Sequence, residues 1–276
     1  MHKVYRYVLG LCVVGIIVLS VNALTHRTQS TEDLSDTIIK SGTLRVGYMV
    51  YPPLLMKDTS TGALSGISYD ILEAAAKKLS LKTEWVEEVG WGAAIEGVKT
   101  GRYDIVGTQM WRNSARAREG AFTDSPMDSV VYTYVRPGDT RFDVTLDILN
   151  SDQYTISTLD GEMSTFIAQE DFPHAHTASL PQLSSFAEVL LNVVNNKADV
   201  AFVEPSVAKD FLTTHPGALE RVSDTPVRQF GNSFVFARRE NSMVAMFNIA
   251  LEELKNNGTI NTILESYNAS DVYIVR

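Results

Sequence analysis

Two acids, a run of arginines and four aromatics stand where they could do chemistry. Glu204 closes the short apolar run Ala198–Val203 just before Pro205, and Glu162 follows Gly161 at the start of a helical stretch. An acid in either place can be a helix-start residue, favoured by the positive end of the helix dipole, or the partner of a ligand's cation. Arg112, Arg116 and Arg118 form a basic run. Such a run is either a solvated face or the source of one planar fork that gives two parallel hydrogen bonds to a carboxylate. Tyr48 and Tyr51 share one candidate loop, Trp111 and the polar Gln109 another, and Trp91 heads a helical stripe where core packing competes with a ligand role. Ring faces of negative potential suit a cationic or flat apolar ligand. His174 and His176 beside Glu170 and Asp171 have the look of a metal site. They lie in a proline-containing loop with no further histidine nearby in sequence, so no metal is expected. A Gly-x-Ser-x-Gly elbow, a phosphate loop and a dinucleotide fingerprint are all missing from the sequence, so no catalytic residue and no cofactor is implied.

The elements that must carry these residues alternate. Leu44–Gly47 reads as a strand. Ile67, Ile71, Leu72, Ala75 and Leu79 recur at helical spacing, and Thr83–Val89 is extended. Trp91, Ala94, Ile95 and Val98 make a second stripe stopped by Gly101, before a buried strand over Tyr103–Gly107. Strand, helix, strand, helix, strand implies parallel pairing with right-handed crossovers. Ligands of such sheets lie beyond the carboxyl ends of the strands, which selects the loops Tyr48–Pro53, Gly90-Trp91 and Thr108–Arg116. A second unit of the same kind follows Val130–Arg136. It has a strand at Tyr154–Thr158, a helix near Glu162–Gln169, a capping box at Ser185 and Glu188, and a strand at Ala198–Val203. Phe234–Ala237 is then a strand, followed by a long helix stopped at Asn257-Gly258 and a short one over Thr259–Tyr267.

Composition limits what such a chain can do. The 276 residues carry 24 Lys and Arg against 33 Asp and Glu, a net charge of −9 that disfavours general nucleic-acid binding. One cysteine allows neither an internal disulfide nor a cysteine-rich metal site. Lys3 and Arg6 precede an uncharged apolar run from Val8 to Leu19, and Val21 and Ala23 have the small-residue spacing of a signal-peptidase site. Residues 1–23 are therefore expected to be a signal peptide, with an uncleaved anchor as the alternative, and 24–39 a linker. Cleavage removes the cysteine and leaves a charge of −11.

The order of these pieces resembles one family. Gly42-Thr43-Leu44-Arg45-Val46-Gly47, Tyr51-Pro52-Pro53, Gly66-Ile67-Ser68-Tyr69-Asp70-Ile71, Trp91 through Lys99 and Gly101-Arg102-Tyr103-Asp104-Ile105 come in its sequence. So do Arg116 with Phe122-Thr123-Asp124, Ala198-Asp199-Val200-Ala201 with Glu204, and Leu251–Gly258. The chain resembles the family 3 solute-binding proteins, periplasmic receptors that deliver amino acids and related polar solutes to ABC importers. The resemblance implies an α/β fold of the type II periplasmic-binding-protein class, with two lobes that are mixed sheets flanked by helices and joined by two hinge strands. Lobe 1 would span 40–133 plus 235–276, and lobe 2 would span 134–234. It implies further that Arg116 grips a ligand carboxylate, that Glu204 meets its ammonium, and that Tyr51 and Trp91 sandwich its side chain. Tyr48, Trp111, Gln109, Gly161 and Glu162 lie close to these contacts. The implied partner is an ABC permease, the implied location the periplasm and the implied state a monomer. Two departures stand out: Trp111 and Glu162 occupy positions where the family has small hydroxyl residues. Glu162 also keeps open an enzyme on the same scaffold, like the cyclohexadienyl dehydratases, and an uncleaved leader would suit a membrane-anchored sensor.

Overall fold

A computed structural model describes residues 34–275. The expected signal peptide lies outside the described residues, as do 24–33 of the expected linker. The chain divides into two units, 1–41 and 42–276. Of the first, the helix α1 (Leu34–Ser41) is described, with Asp36 in its first turn and Lys40 in its last, both matched to the helix dipole. The linker expected through residue 39 is thus helical from Leu34, because Leu34 and Ile38 supply one apolar stripe.

The second unit opens with β1 (Thr43–Tyr48), the two-residue hairpin strands β2 (Met56–Lys57) and β3 (Leu64–Ser65), and α2 (Ile67–Lys78). Ile67, Ile71, Leu72 and Ala75 of α2 are buried, as their spacing requires. Then come β4 (Lys82–Glu88), α3 (Ala94–Lys99), β5 (Ile105–Trp111), α4 (Ser114–Ala117), β6 (Gly120–Phe122) and the long β7 (Met127–Val135). After two 3-10 turns the chain runs through β8 (Thr155–Leu159), α5 (Met163–Asp171), β9 (His176–Leu180), α6 (Phe186–Val194), β10 (Val200–Val203), α7 (Pro205–Thr214) and β11 (Glu220–Arg221). It closes with β12 (Arg228–Ala237), α8 (Asn241–Asn256), α9 (Thr259–Ser266) and β13 (Tyr273–Val275).

The strand order is β4-β1-β5-β12-β7-β10-β8-β9, with β6 beside β12 and β11 and β13 beside β7. β1 is parallel to β4 and β5, and β8 is parallel to β9 and β10. Two parallel groups thus stand at the two ends, one in each lobe. The strands between them, β7 and β12, are antiparallel to each other and to their neighbours, and each changes partner part-way along. β12 pairs with β7 from Arg228 to Asn232 and with β5 from Asn232 to Phe236. β7 pairs with β12 through Val131 and with β10 from Tyr132 to Tyr134. Two strands that cross from one group to the other are the only ladder connection between the lobes among the described residues, and this is a hinge geometry.

Three extents differ from the sequence reading. β5 continues to Trp111, with all seven residues buried, because β12 pairs with its far end through Asn232 and Ser233. The loop expected at Thr108–Arg116 therefore begins only after Trp111. β9 forms where a histidine-containing loop was expected, since its backbone extends β8 in register from Thr155 and His176 to Leu159 and Leu180. β12 begins six residues ahead of Phe234, for its first half crosses the hinge against β7.

Candidate functional site

Tyr51, Trp91, Gln109, Trp111, Arg116 and Glu162 line one nearly closed pocket of about 10 Å³, room for a single water molecule until the two sides part. Tyr51 and Trp91 come from the segments that follow β1 and β4, Gln109 and Trp111 from the last part of β5, Arg116 from α4, and Glu162 from the turn after β8. The carboxyl ends of two parallel groups meet here, as expected for open sheets. Tyr51 and Trp91 touch edge to face, with ring centroids 5.5 Å apart and planes at 86°. Tyr51 also lies 4.7 Å from the ring of Phe186, at the start of α6 in the opposite parallel group. Trp111 faces two ways: it lines the pocket and stacks on Phe230 at 4.8 Å and 8°, in the apolar cluster with Val131, Ile156, Ile167 and Phe202.

Arg116 is only 7% exposed. Its backbone N–H is held by the Asn113 side chain at 2.8 Å, which caps α4 and fixes where the side chain starts. The guanidinium donates to the Trp111 carbonyl at 3.0 Å and to the Gly161 carbonyl at 2.8 Å, and stands 5.1 Å from the Phe166 ring. Burial pushes its pKa down to about 10, and the charge of Glu162 opposes that shift. Glu162 is the N-cap of α5: one carboxylate oxygen, Oε2, accepts from the Ser164 amide and the Ser164 hydroxyl, both at 2.7 Å. Its own amide donates to the Leu159 carbonyl at 3.0 Å. Burial raises the Glu162 pKa, while the Ser164 and Met163 hydrogen bonds and Arg116 hold it down.

Glu204 follows β10 and starts α7 without capping it, and no part of it is exposed. Its Oε2 accepts from the Tyr273 hydroxyl at 3.0 Å, whereas Oε1 has no partner of hydrogen-bonding geometry. Burial pushes its pKa up to about 7; Glu162 adds to the rise, and the hydroxyls of Ser129, Tyr273 and Tyr51 oppose it. Tyr51 is coupled in return: burial, then the charges of Glu204 and Glu162, raise its pKa well above the ordinary phenol value. One lining residue therefore connects the pocket to a second buried carboxyl.

Glycines let the two sides approach. Gly161 sits at φ 76°, and a Cβ there would stand 2.6 Å from the Gly92 nitrogen and 2.7 Å from its Cα. The Gly92 amide donates to Gln182 Oε1 at 3.0 Å. Gly161→Ala is accordingly expected to weaken ligand binding by about tenfold or more. The left-handed φ strains any L side chain and the new methyl meets backbone that cannot rotate away. Calorimetric affinities of the variant and wild type check this; an unchanged affinity would show that this contact does not form in the liganded state.

Of the nine residues selected from the sequence, six line the pocket, and Gly161 joins them through the Arg116 bond. Glu204 borders it through Tyr51. Tyr48 is elsewhere: its ring lies 5.9 Å from Trp85, with the Lys57 ammonium 5.9 Å away. Tyr48 is the last residue of β1 and packs on the ring of Trp85 in the neighbouring strand β4. Arg116 also differs from its expected free fork, since two of its N–H groups are engaged by carbonyls. Three participants escaped the sequence reading: Tyr273, Phe186 and Gln182. The capping box at Ser185 marked the neighbourhood of Phe186, but nothing local marked Tyr273. A larger open depression lined by Tyr69, Glu73, Lys77 and Trp85 holds none of these residues.

The sequence pattern of the bacterial extracellular solute-binding proteins, family 3, matches residues 44–270. A probable amino-acid ABC transporter-binding protein of Haemophilus influenzae is 25% identical over 240 residues, covering 84% of this chain and 86% of that protein. The L-cystine-binding protein TcyA of Bacillus subtilis is 23% identical, covering 94% and 96%. Among solved structures, the ancestral amino-acid-binding protein AncCDT-1, a precursor of cyclohexadienyl dehydratase, superposes with a TM-score of 0.72 at 26% identity, covering 85% of this chain and 99% of that one.

Proposed function

The chain belongs to the bacterial extracellular solute-binding proteins, family 3, and from that premise we propose that it is a periplasmic receptor. It captures an amino acid or a related small zwitterionic or cationic solute between its lobes and passes it to an ABC permease. The observation that supports this most is the enclosed pocket itself, whose walls come from both parallel groups of strands. A ligand held there makes contacts that exist only when the lobes are closed, and this is what biases a hinged protein toward closure. Lobe 2 is the segment 134–234, and β7 and β12 are the hinge. Tyr51 and Trp91 hold the body of the ligand, Glu162 and Glu204 receive its cation, and Arg116 with Gly161 closes the wall between the lobes. The relatives from Haemophilus influenzae and Bacillus subtilis, an amino-acid-binding and an L-cystine-binding protein, support the solute class.

The protein performs no catalysis in this reading, because Glu162, the acid that a dehydratase would need, is engaged as a helix cap. Residues 1–23 direct export and are removed, and the mature receptor is a monomer. Among the described residues, no helix is long and apolar enough to cross a membrane.

Isothermal titration of the mature chain against amino acids, opines, betaines and polyamines is expected to give saturable heat with at least one class. Absence of heat or thermal shift with all four would sink the receptor reading. Tyr51→Ala is expected to lower the affinity about tenfold or more, since a buried aromatic contact is worth at least that ratio. An equal affinity would place the ligand away from this ring.

A further inference from the structure

Resting on the receptor reading above, we infer that the preferred ligand is a small organic cation that carries no carboxylate. The charges around the pocket are few. Among the described residues, Arg116 is the single cationic residue in the lining, and Glu162, from the opposite side, supports its charge. Two of its N–H groups are engaged by the carbonyls of Trp111 and Gly161.

The other place where an anion could find donors is the start of α5, and the chain's own carboxylate fills it. Glu162 takes the Ser164 amide and hydroxyl, and its own amide is bonded to Leu159. The second buried carboxyl, Glu204, lies behind Tyr51, outside the lining, and is in no ion pair among the described residues; its Oε1 has no partner of hydrogen-bonding geometry. An incoming carboxylate would therefore place a third acid beside one arginine, in a setting where unpaired buried charge is heavily penalised. An incoming ammonium or guanidinium instead meets the negative charge of Glu162 in the lining and, behind Tyr51, that of Glu204. The rings of Tyr51, Trp91 and Trp111 offer faces that attract cations. Gln109, with its side-chain nitrogen unpartnered, adds one neutral polar contact.

Matched pairs that differ only in the carboxyl group test this: putrescine against ornithine, cadaverine against lysine, agmatine against arginine. Titration of the full mature chain is expected to show the carboxylate-free member of the bound pair tighter by about tenfold or more. Equal or tighter binding of the amino acid overturns the inference and leaves the receptor reading standing. So does binding confined to neutral amino acids. No binding by any of these compounds overturns the inference, and no binding by the neutral amino acids, opines and betaines as well overturns the receptor reading with it.

Glu162→Gln, which keeps an acceptor for Ser164 but removes the charge, is expected to narrow the ratio within the bound pair. Glu162→Ser is a second form of the same test should the first fold poorly. An unchanged ratio in a folded variant would show that Glu162 does not set the preference.

Discussion

Glu204→Gln is expected to raise the dissociation constant for a cationic ligand about a hundredfold and, at the same time, to stabilise the empty protein at pH 8. The two effects have one cause. Glu204 is wholly buried and its pKa is pushed up to about 7, against about 4.5 for the same group in the unfolded chain. Between these values the native protein holds a proton that the unfolded chain has released, so stability falls as pH rises. The contribution is complete below about pH 4.5 and is lost as pH passes through about 7. Above that, the empty protein carries a buried carboxylate that is in no ion pair among the described residues, at a cost of about 3 kcal/mol for a shift of this size. Glutamine retains an acceptor for Tyr273 and has no charge to bury. Urea melts of both proteins at pH 5 and pH 8 check this: wild type loses stability between the two and the variant loses less. A variant with the same loss would mean that another group titrates. The affinity follows from the same charge, because truncating one partner of a buried ionic contact costs about 2–5 kcal/mol.

Arg116→Ala is expected to destabilise the protein by about 1–3 kcal/mol at pH 8, the cost of leaving buried carbonyls without their donors. Three things are lost together. The Trp111 and Gly161 carbonyls lose charge-assisted donors, the two sides of the pocket lose a direct bond, and Glu162 loses its counter-charge. The deficit is expected to shrink as pH falls from 8, since burial raises the pKa of Glu162 and its protonation relieves the unpaired charge. Arg116→Lys separates the contributions: it restores the positive charge but not the fork that spans two carbonyls, so an intermediate stability is expected. Denaturant titrations at pH 8 and below measure all of these. A deficit below about 1 kcal/mol at pH 8 would show that the lobes hold together without this residue.

Much of the arrangement was legible from local pattern. The stripe Ile67, Ile71, Leu72 and Ala75 is buried in α2, and the capping box at Ser185 and Glu188 forms as its spacing required. The acids and aromatics at strand ends gather because the carboxyl ends of parallel strands gather. Where the reading fell short, the missing information was nonlocal. Trp111 looked like a loop residue, yet it ends a fully buried strand, because β12 returns from residues 228–237 to pair with it. Tyr273 belongs to a three-residue strand with little intrinsic tendency to form, and it reaches Glu204 only because β13 is held against β7. Tyr48 shared a loop with Tyr51 in sequence but leaves the site, since it ends β1 and packs on Trp85 of β4, whereas Tyr51 lies beyond the strand in a bridge with Leu55.

The sequence by itself determined the class of fold, the order of its elements and the types of group that meet at the strand ends, because periodicity, caps and motif order are written in neighbouring residues. The tertiary structure alone decided how those groups are used. It engages Arg116 with two carbonyls, turns Glu162 into a helix cap, and leaves Glu204 buried with one oxygen unpartnered. Burial and hydrogen-bond partners set the charge and availability of a side chain, and both depend on which distant segments the fold packs around it.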